Sequence, residues 1–549
     1  MKGSWVRPAS LRGLFALPLM VAITLGIASV GAARVLAQGV PSAAAGPPGT
    51  GLAWGNNSDG ELGDGTNNGS STPIAVDLPA DTTITAIAAG TAYGLALTSA
   101  GTVLAWGDNS AGQLGDGTTT DSSTPVTVDL PAGTTITAVA AGDRHSLALT
   151  STGTMLAWGE NFIGQLGDGT TTRRSTPVAV DLPAGTTVTA VAAGDRHSLA
   201  LTSADTVLAW GDNSAGQLGD GTTTDSSTPV TVDLPAGTTI TTVAAGAYHS
   251  LALTSADTML AWGYNIFGQL GDGTTTDRDT PVAVDLPAGT TITTVAGGAR
   301  HTLAMTSAGT MLAWGHNNFG QLGDGTTTDR STPVAVDLPA DTTITTTTTT
   351  VAAGAFHSLA VTSAGTMLAW GYNALGQLGD GTTTHRSAPV AVDLPAGTTI
   401  TAAAGGDFHS LAIVPSTSTT TLQVSPPNPT PDQPVTLTAT VTCTASTPTG
   451  TVTFLDNTKT LGTEPLPASP TAILTVTRLT PGTHHIHARY NGDNNCPTST
   501  SKPTTVTVPK PTIPVTGASL PTILTAGSLL TLTGAALILA HRRRPAHGA

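Results

Sequence analysis

Lysine is missing from the long central stretch of this chain. Between Gly51 and Pro415 there are 31 Asp and Glu against eight Arg and no Lys, a balance of −23. Such a surface repels phosphate backbones, so nucleic acid is excluded as a partner. Cysteine is scarce too: the 549 residues contain two, Cys443 and Cys496, both outside that stretch. This excludes a disulfide-dense scaffold and a cysteine-built metal site. Helical spacing of apolar residues is absent from the middle of the chain, where Gly and Pro recur too often for helices. Long apolar runs occur only near the two ends.

What is present instead is repetition. LAWG occurs seven times, with Trp54, Trp106, Trp158, Trp210, Trp262, Trp314 and Trp370, and five of the six spacings are 52 residues. The last is 56, lengthened by the threonine run 345–350. A period of this size signals a propeller or a solenoid. One unit reads ITAVAAG, HSLALT, TMLAWG and TPVAVDL, four short apolar runs separated by Gly, Asp, Ser, Thr and Pro clusters. These are antiparallel strands A, B, C and D joined by turns. The first unit begins at strand C and the last ends at strand B. Pairing Leu52–Leu78 with Ile400–Val414 therefore closes a ring and hides two edge strands. A solenoid would need polar caps, and none is visible. The expected fold is all-β: a seven-bladed propeller over 51–415 with one blade split between its ends. Ala105–Thr137 and Ala209–Thr241 are identical, which points to recent internal duplication.

The residues WG-x-N, GQLGDGT and AGxxHSLAL resemble the repeat of the regulator of chromosome condensation family. The resemblance covers about two thirds of the chain and implies the same propeller. In that family the eukaryotic founder exchanges nucleotide on a GTPase, and similar propellers include a secreted bacterial inhibitor of β-lactamases. Both roles are expectations of the resemblance alone, since function resides in a grafted site.

Flanking segments point outward. Residues 1–37 carry Lys2, Arg7 and Arg12, then the apolar run Leu14–Val30 and small residues, as a signal peptide does. An uncleaved anchor is the alternative. Residues 38–50 and 416–421 are read as linkers. The segment 422–510 contains GTVTF and LTPGTHHIHARYNGD and resembles a bacterial immunoglobulin-like domain, a small β-sandwich. Its Cys443 and Cys496 are expected to form a disulfide worth about 3–4 kcal/mol. His484, His485 and His487 are a weak metal candidate, because strand alternation splits them between faces.

Residues 511–549 resemble the sorting signal of Gram-positive surface proteins. Ile513, Pro514, Val515, Thr516 and Gly517 stand for Leu-Pro-x-Thr-Gly, followed by an apolar transmembrane helix at 518–540 and a basic tail at 541–549. The resemblance implies a sortase and a peptidoglycan precursor as partners, with cleavage after Thr516 and a cell-wall or cell-surface location. Ile513 replaces the leucine of the motif, and a permanent membrane anchor is the alternative.

The repeats differ at one end only. A–B turns and the residues after WG vary, whereas B–C turns and D–A connections are nearly uniform. Every Phe, Tyr and Arg of the propeller falls in the variable loops. Aromatics and arginine are enriched at binding hot spots. The expected site for an extracellular protein or glycan is therefore Tyr264, Tyr372, His316, Phe162, Tyr248, Phe356, Phe408, Arg144, Arg196 and Arg300. Packing within the loops is the competing reading, stronger for Phe267 and Phe319. Once-per-blade histidines such as His145 are expected to satisfy a repeated backbone bond. No base, nucleophile and orienting trio stands out, so no enzyme, cofactor or metal is expected.

Overall fold

The computed structural model describes residues 44–512, except 341, 343, 345–350 and 468. The expected leader, the sorting motif 513–517 and the apolar segment after it lie outside the described residues. No helix among the described residues is long and apolar enough to cross a membrane.

Blades 1 to 6 follow one another as four-stranded units, spanning Ile84–Thr127, Ile136–Ala179, Val188–Thr231, Ile240–Ala283, Ile292–Ala335 and Val351–Ala391; blades 2 to 6 are separate sheets, while blade 1 shares one eight-stranded sheet with blade 7. Blade 7 is assembled from both ends of the array. Its strands A and B are Ala402–Gly405 and His409–Pro415, and its C and D are Ala44–Gly55 and Ser70–Ala75. The expected closure is in place: Leu52 pairs with Ala412 and Trp54 with Ser410.

Strand B of blades 1 to 6, HSLALT in blade 2, is buried along its whole length because neighbouring sheets cover both faces. Strand D lies at the rim and is half exposed. Each core cluster draws on two adjacent blades: Leu95, Leu97 and Val103 of blade 1 pack with Val139, Leu156 and Trp158 of blade 2. The seven tryptophans are the largest buried side chains, as their expected place between blades requires. Trp158 donates its indole N–H to the Gln113 carbonyl of the preceding blade at 2.8 Å. Gly115, with φ 68°, lies against that ring, and a Cβ there would meet Trp158 Nε1 at 2.6 Å. This contact fixes the second glycine of GQLGDGT.

Two stretches read as linkers are structured. Ala44–Gly49 pairs with the inner strand of blade 1 (Ala44 with Ile87, Gly49 with Ile84), so the first strand joins blade 7 to blade 1. Turn residues and small side chains hid this strand, because its stability comes from a ready edge rather than its own propensity. At the other end a strand already begins at Ser418 and runs to Ser425. It opens a sandwich in which Val435, Leu437, Ala439 and Val441 alternate inward against Phe454, Ile486 and Tyr490. Cys443 and Cys496 are bonded, with Cα atoms 5.9 Å apart. The histidine trio is indeed divided. His484 is buried with both ring nitrogens occupied, by Asp456 at 2.6 Å and the Thr480 carbonyl at 2.8 Å, while His485 is exposed.

The B–C turns contain a local strain that mutation can relieve. Gly101, Gly153, Gly309 and Gly365 take φ of 75–78° there, but blades 3 and 4 carry Asp205 and Asp257 at φ 60° and 61°. A side chain in that region costs free energy that glycine avoids. Asp205→Gly and Asp257→Gly should each raise stability by about 0.5–1 kcal/mol, read as a higher denaturant midpoint at unchanged slope.

Candidate functional site: the variable-loop face

Each blade ties its A–B turn to its C–D loop at the same end. The N–H of the residue after WG donates to the carbonyl before the once-per-blade histidine: Tyr264 to Tyr248, His316 to Arg300, Tyr372 to Phe356, Asn56 to Phe408, each at 2.9 Å. The variable residues thus share one face of the ring. The loops are rigid because a buried asparagine organises each. Asn265 holds the Asp272 carboxylate (3.2 Å) and the Thr274 and Thr276 carbonyls, and accepts the Leu270 N–H. The aspartate of GDGT is a turn residue, as expected. Four arginines are committed to it: Arg174, Arg278, Arg330 and Arg386 bond Asp168, Asp272, Asp324 and Asp380 at 2.7–2.8 Å. Hydrogen bonds from Thr and Arg outweigh partial burial and hold these carboxylates below their ordinary range.

The face is divided into two halves. On blades 4 to 7 the rings form one connected arc. Tyr248 meets Tyr264 (6.2 Å between centroids), Tyr264 meets Phe267 (6.5 Å), and Phe267 meets His316 (4.6 Å). Phe319 then touches Phe356 (5.8 Å) and Tyr372 (4.8 Å), and Phe408 closes the arc against Tyr372 (5.8 Å). Most contacts are edge-to-face, the arrangement favoured by ring quadrupoles. Phe267 and Phe319 are the joints of the arc, which accounts for their packing character. Ile266 and Leu375 project beside it, 56% and 42% exposed. Arg300 lies over Phe267 at 5.2 Å.

On blades 1 to 3 the face is charged. Arg144 and Arg196 are exposed, and Arg144 lies 3.9 Å from both Asp108 and Asp143. Around the ring axis the inner strands end in a shallow hub lined by Asp143, Asp195 and Asp407. Burial, reinforced by Asp143, pushes Asp407 up to about 7, and burial with Asp407 and Asp143 raises Asp195. Phe162 stands outside the arc, 59% exposed beneath Arg173 at 4.3 Å.

Three expectations need correction. His316 is 5% exposed and its Nδ1 faces Gln321 Nε2 at 2.8 Å, so it supports the arc from below. Tyr93 is wholly buried in strand B of blade 1. Five of the six once-per-blade histidines bond a hydroxyl of the next blade through Nε2, where a backbone partner is expected: His145 to Ser198 at 3.0 Å and His197 to Ser250 at 2.9 Å are examples. Each serine gives its own proton to a glutamine carbonyl, Ser198 to Gln165 at 2.9 Å, so the imidazole donates through Nε2–H. These His–Ser pairs have no exposed surface and cannot meet a substrate. His385 was missed. It stacks on Tyr372 at 4.7 Å, exposed, while its Nδ1 accepts the Asn373 N–H. Its signal was THRS where three other blades read TDSS or TDRS, since Asp121 and Asp329 take the same N–H in theirs. Among the described residues no group of three or more His, Cys, Asp or Glu is arranged to hold a metal ion.

The repeat, the ring and the loop architecture are those of one family, and residues 50–412 match the RCC1-like domain. The chain belongs to the RCC1-like domain family. Residues 422–509 match a bacterial Ig-like domain of group 3. Within the RCC1-like family, the Ultraviolet-B receptor UVR8 of Arabidopsis thaliana is 33% identical over 366 residues, 66% of this chain and 82% of that one. The human E3 ubiquitin-protein ligase HERC2 is 31% identical over 373 residues, and there the match spans only 8% of the ligase. Among solved structures, Prp20p of Saccharomyces cerevisiae superposes with a TM-score of 0.60 at 26% identity, over 68% of this chain and 93% of Prp20p.

Proposed function

We propose that this chain is a non-catalytic display protein that binds a protein partner through the aromatic arc of its propeller. The arc carries the reading: rings from four successive blades form a continuous, half-buried apolar strip bordered by Arg300 and the hub carboxylates. Half-buried aromatics on a rigid frame lose little entropy on binding, which is what a hot spot needs. Family membership favours a protein over a glycan. Prp20p binds Gsp1p and histones, and this chain's acidic surface suits partners with a basic patch. A signal peptide and a sorting motif would place the propeller outside the cell, held by sortase attachment at Thr516 or by the membrane itself.

Two measurements test this. Full-length protein and its Tyr372→Ala/Phe408→Ala variant are each presented to extracellular protein fractions and to a glycan array. The variant should bind at least about tenfold more weakly with unaltered thermal unfolding. Equal binding by both removes the arc from the reading, and ligands found only on the glycan array transfer the site to sugars. Deleting 513–549 should move the protein from the cell envelope to the medium. Retention in the envelope after that deletion contradicts C-terminal anchoring.

A further inference from the structure

The seven joints between blades are not equivalent. Five carry the histidine–hydroxyl bond: His145–Ser198, His197–Ser250, His249–Thr302, His301–Ser358 and His357–Ser410. From blade 1 to blade 2 a tyrosine substitutes, with Tyr93 donating to the His145 carbonyl at 2.5 Å and accepting from Ser146 at 3.1 Å. From blade 7 to blade 1 the bond is gone. His409 faces the position of Gly94, which has no hydroxyl, so its ring has no side-chain partner in blade 1 and only the Tyr93 backbone lies beside it. A serine cannot simply be restored, because a Cβ on Gly94 would meet the Trp106 ring at 2.6 Å. A joint without this buried hydroxyl bond is weaker than its neighbours. The two ends of the array meet beside this joint, inside blade 7, and the lead-in Ala44–Gly49 is the one strand that pairs across it.

The sandwich reaches over that joint from the back of the ring, opposite the variable loops. The chain leaves blade 7 at Pro415, and Ser416 at once bonds the Pro48 carbonyl through its N–H at 2.9 Å. The loop Asp493–Pro497 then returns to blade 1. The Asn495 side-chain oxygen accepts from the Thr83 hydroxyl at 2.6 Å and the Ser99 hydroxyl at 2.7 Å. Its amide donates to the Asp81 carbonyl at 3.2 Å, and the Thr447 N–H reaches the Asp81 carboxylate at 3.2 Å. The loop bearing Asn495 is itself fixed. Asp493 accepts the N–H groups of Asn495 and Cys496 at 2.8 and 2.7 Å and that of Thr449 at 2.7 Å, and the disulfide ties Cys496 to Cys443.

We propose that the Ig-like domain is a clasp for the ring: continuous with blade 7 and gripping blade 1 through Asn495, it secures the joint that lacks its histidine–hydroxyl bond. The disulfide keeps the gripping loop in shape, so the sandwich is a working part of the propeller and more than a spacer toward the C-terminus.

Hydrogen exchange on the full chain tests the clasp, comparing the parent with Asn495→Ala and with Thr83→Val/Ser99→Ala. The second variant cuts the same contact from the propeller side and leaves the sandwich sequence intact. In both, amides of Ile84–Thr98 and His409–Pro415 should exchange roughly tenfold faster, while Val188–Thr202 and Ile240–Thr254 at the blade 3–4 joint keep their rates. All three substitutions together should add little beyond Asn495→Ala alone, which already removes both hydroxyl contacts as well as the amide bond to Asp81. Unchanged exchange at the blade 7–1 joint, or an equal rise in every blade, overturns the proposal.

Discussion

Mild acid should unfold the propeller well above the pH at which carboxylates protonate. Six histidines are wholly buried at the blade joints, and burial pushes His145, His249, His301 and His357 down to about 3 and His197 and His409 to about 4. In the unfolded chain the same imidazoles take up protons below about 6.5. The folded state refuses them until far lower pH, so stability is whole above 6.5 and falls as pH drops from there toward 4. Each histidine then costs about 2 kcal/mol between pH 7 and pH 5. Asp407 and Asp195, raised in the folded hub, act in the opposite sense over the same range and return part of this. The remainder, several kcal/mol by this linkage, is comparable with the whole stability of an ordinary domain. Denaturant midpoints followed from pH 7.5 to 4.5 should fall steeply, with a net uptake of several protons on unfolding. A flat profile down to pH 5 would mean that the joint histidines are not buried as neutral rings. The sandwich should respond with the opposite sign. Burial disfavours the charged ring of His484, but Asp456 and the Thr480 carbonyl more than compensate and raise its pKa. Its contribution is complete below about 6.5 and fades as pH climbs through the higher folded value.

Removal of the closing strand should be the most damaging truncation. A chain beginning at Asn56 lacks Ala44–Gly55, which supplies strand C of blade 7 and seven paired positions along Gly49–Gly55. It loses Trp54, which packs with Leu359, Leu378 and Val392 of blade 6 and donates to the Gln377 carbonyl at 2.9 Å. Loss of a buried tryptophan alone costs about 3–5 kcal/mol. The strand His409–Pro415 would also be left with a bare edge, and bare edges recruit other chains. The truncated chain should show no cooperative unfolding of the propeller and should elute as aggregates. A chain beginning at Ala44 should behave as the full protein does. A monomeric chain lacking 44–55 that unfolds at the parent midpoint would mean that the ring does not depend on this closure.

Legibility followed the range of the interactions. The tryptophan period, the glycines of GQLGDGT and the split first and last units are local patterns, and each marks an element found in the structure. The lead-in strand was not legible, because Ala44–Gly49 is held by the free edge of blade 1 and by nothing in its own composition. The two kinds of arginine were not separable either. Arg174 and Arg300 both lie in variable loops, yet one is committed to Asp168 and the other lies over Phe267. Asp168 lies six residues from Arg174 in the same loop, whereas only the folded ring brings Phe267 of the neighbouring blade beneath Arg300.

By itself, then, the order of residues determined a ring of seven blades, because a 52-residue period with two half-units at its ends has one way to cover every strand edge. It also determined that the variable loops share a face, since antiparallel strands place alternate turns together. The folded ring decided what no single unit contains: which aromatic rings touch across blades 4 to 7, that His316 lies beneath them, and that one joint has lost its hydroxyl while a second domain bridges it. Those are contacts between different blades or domains, and only packing brings their partners within reach.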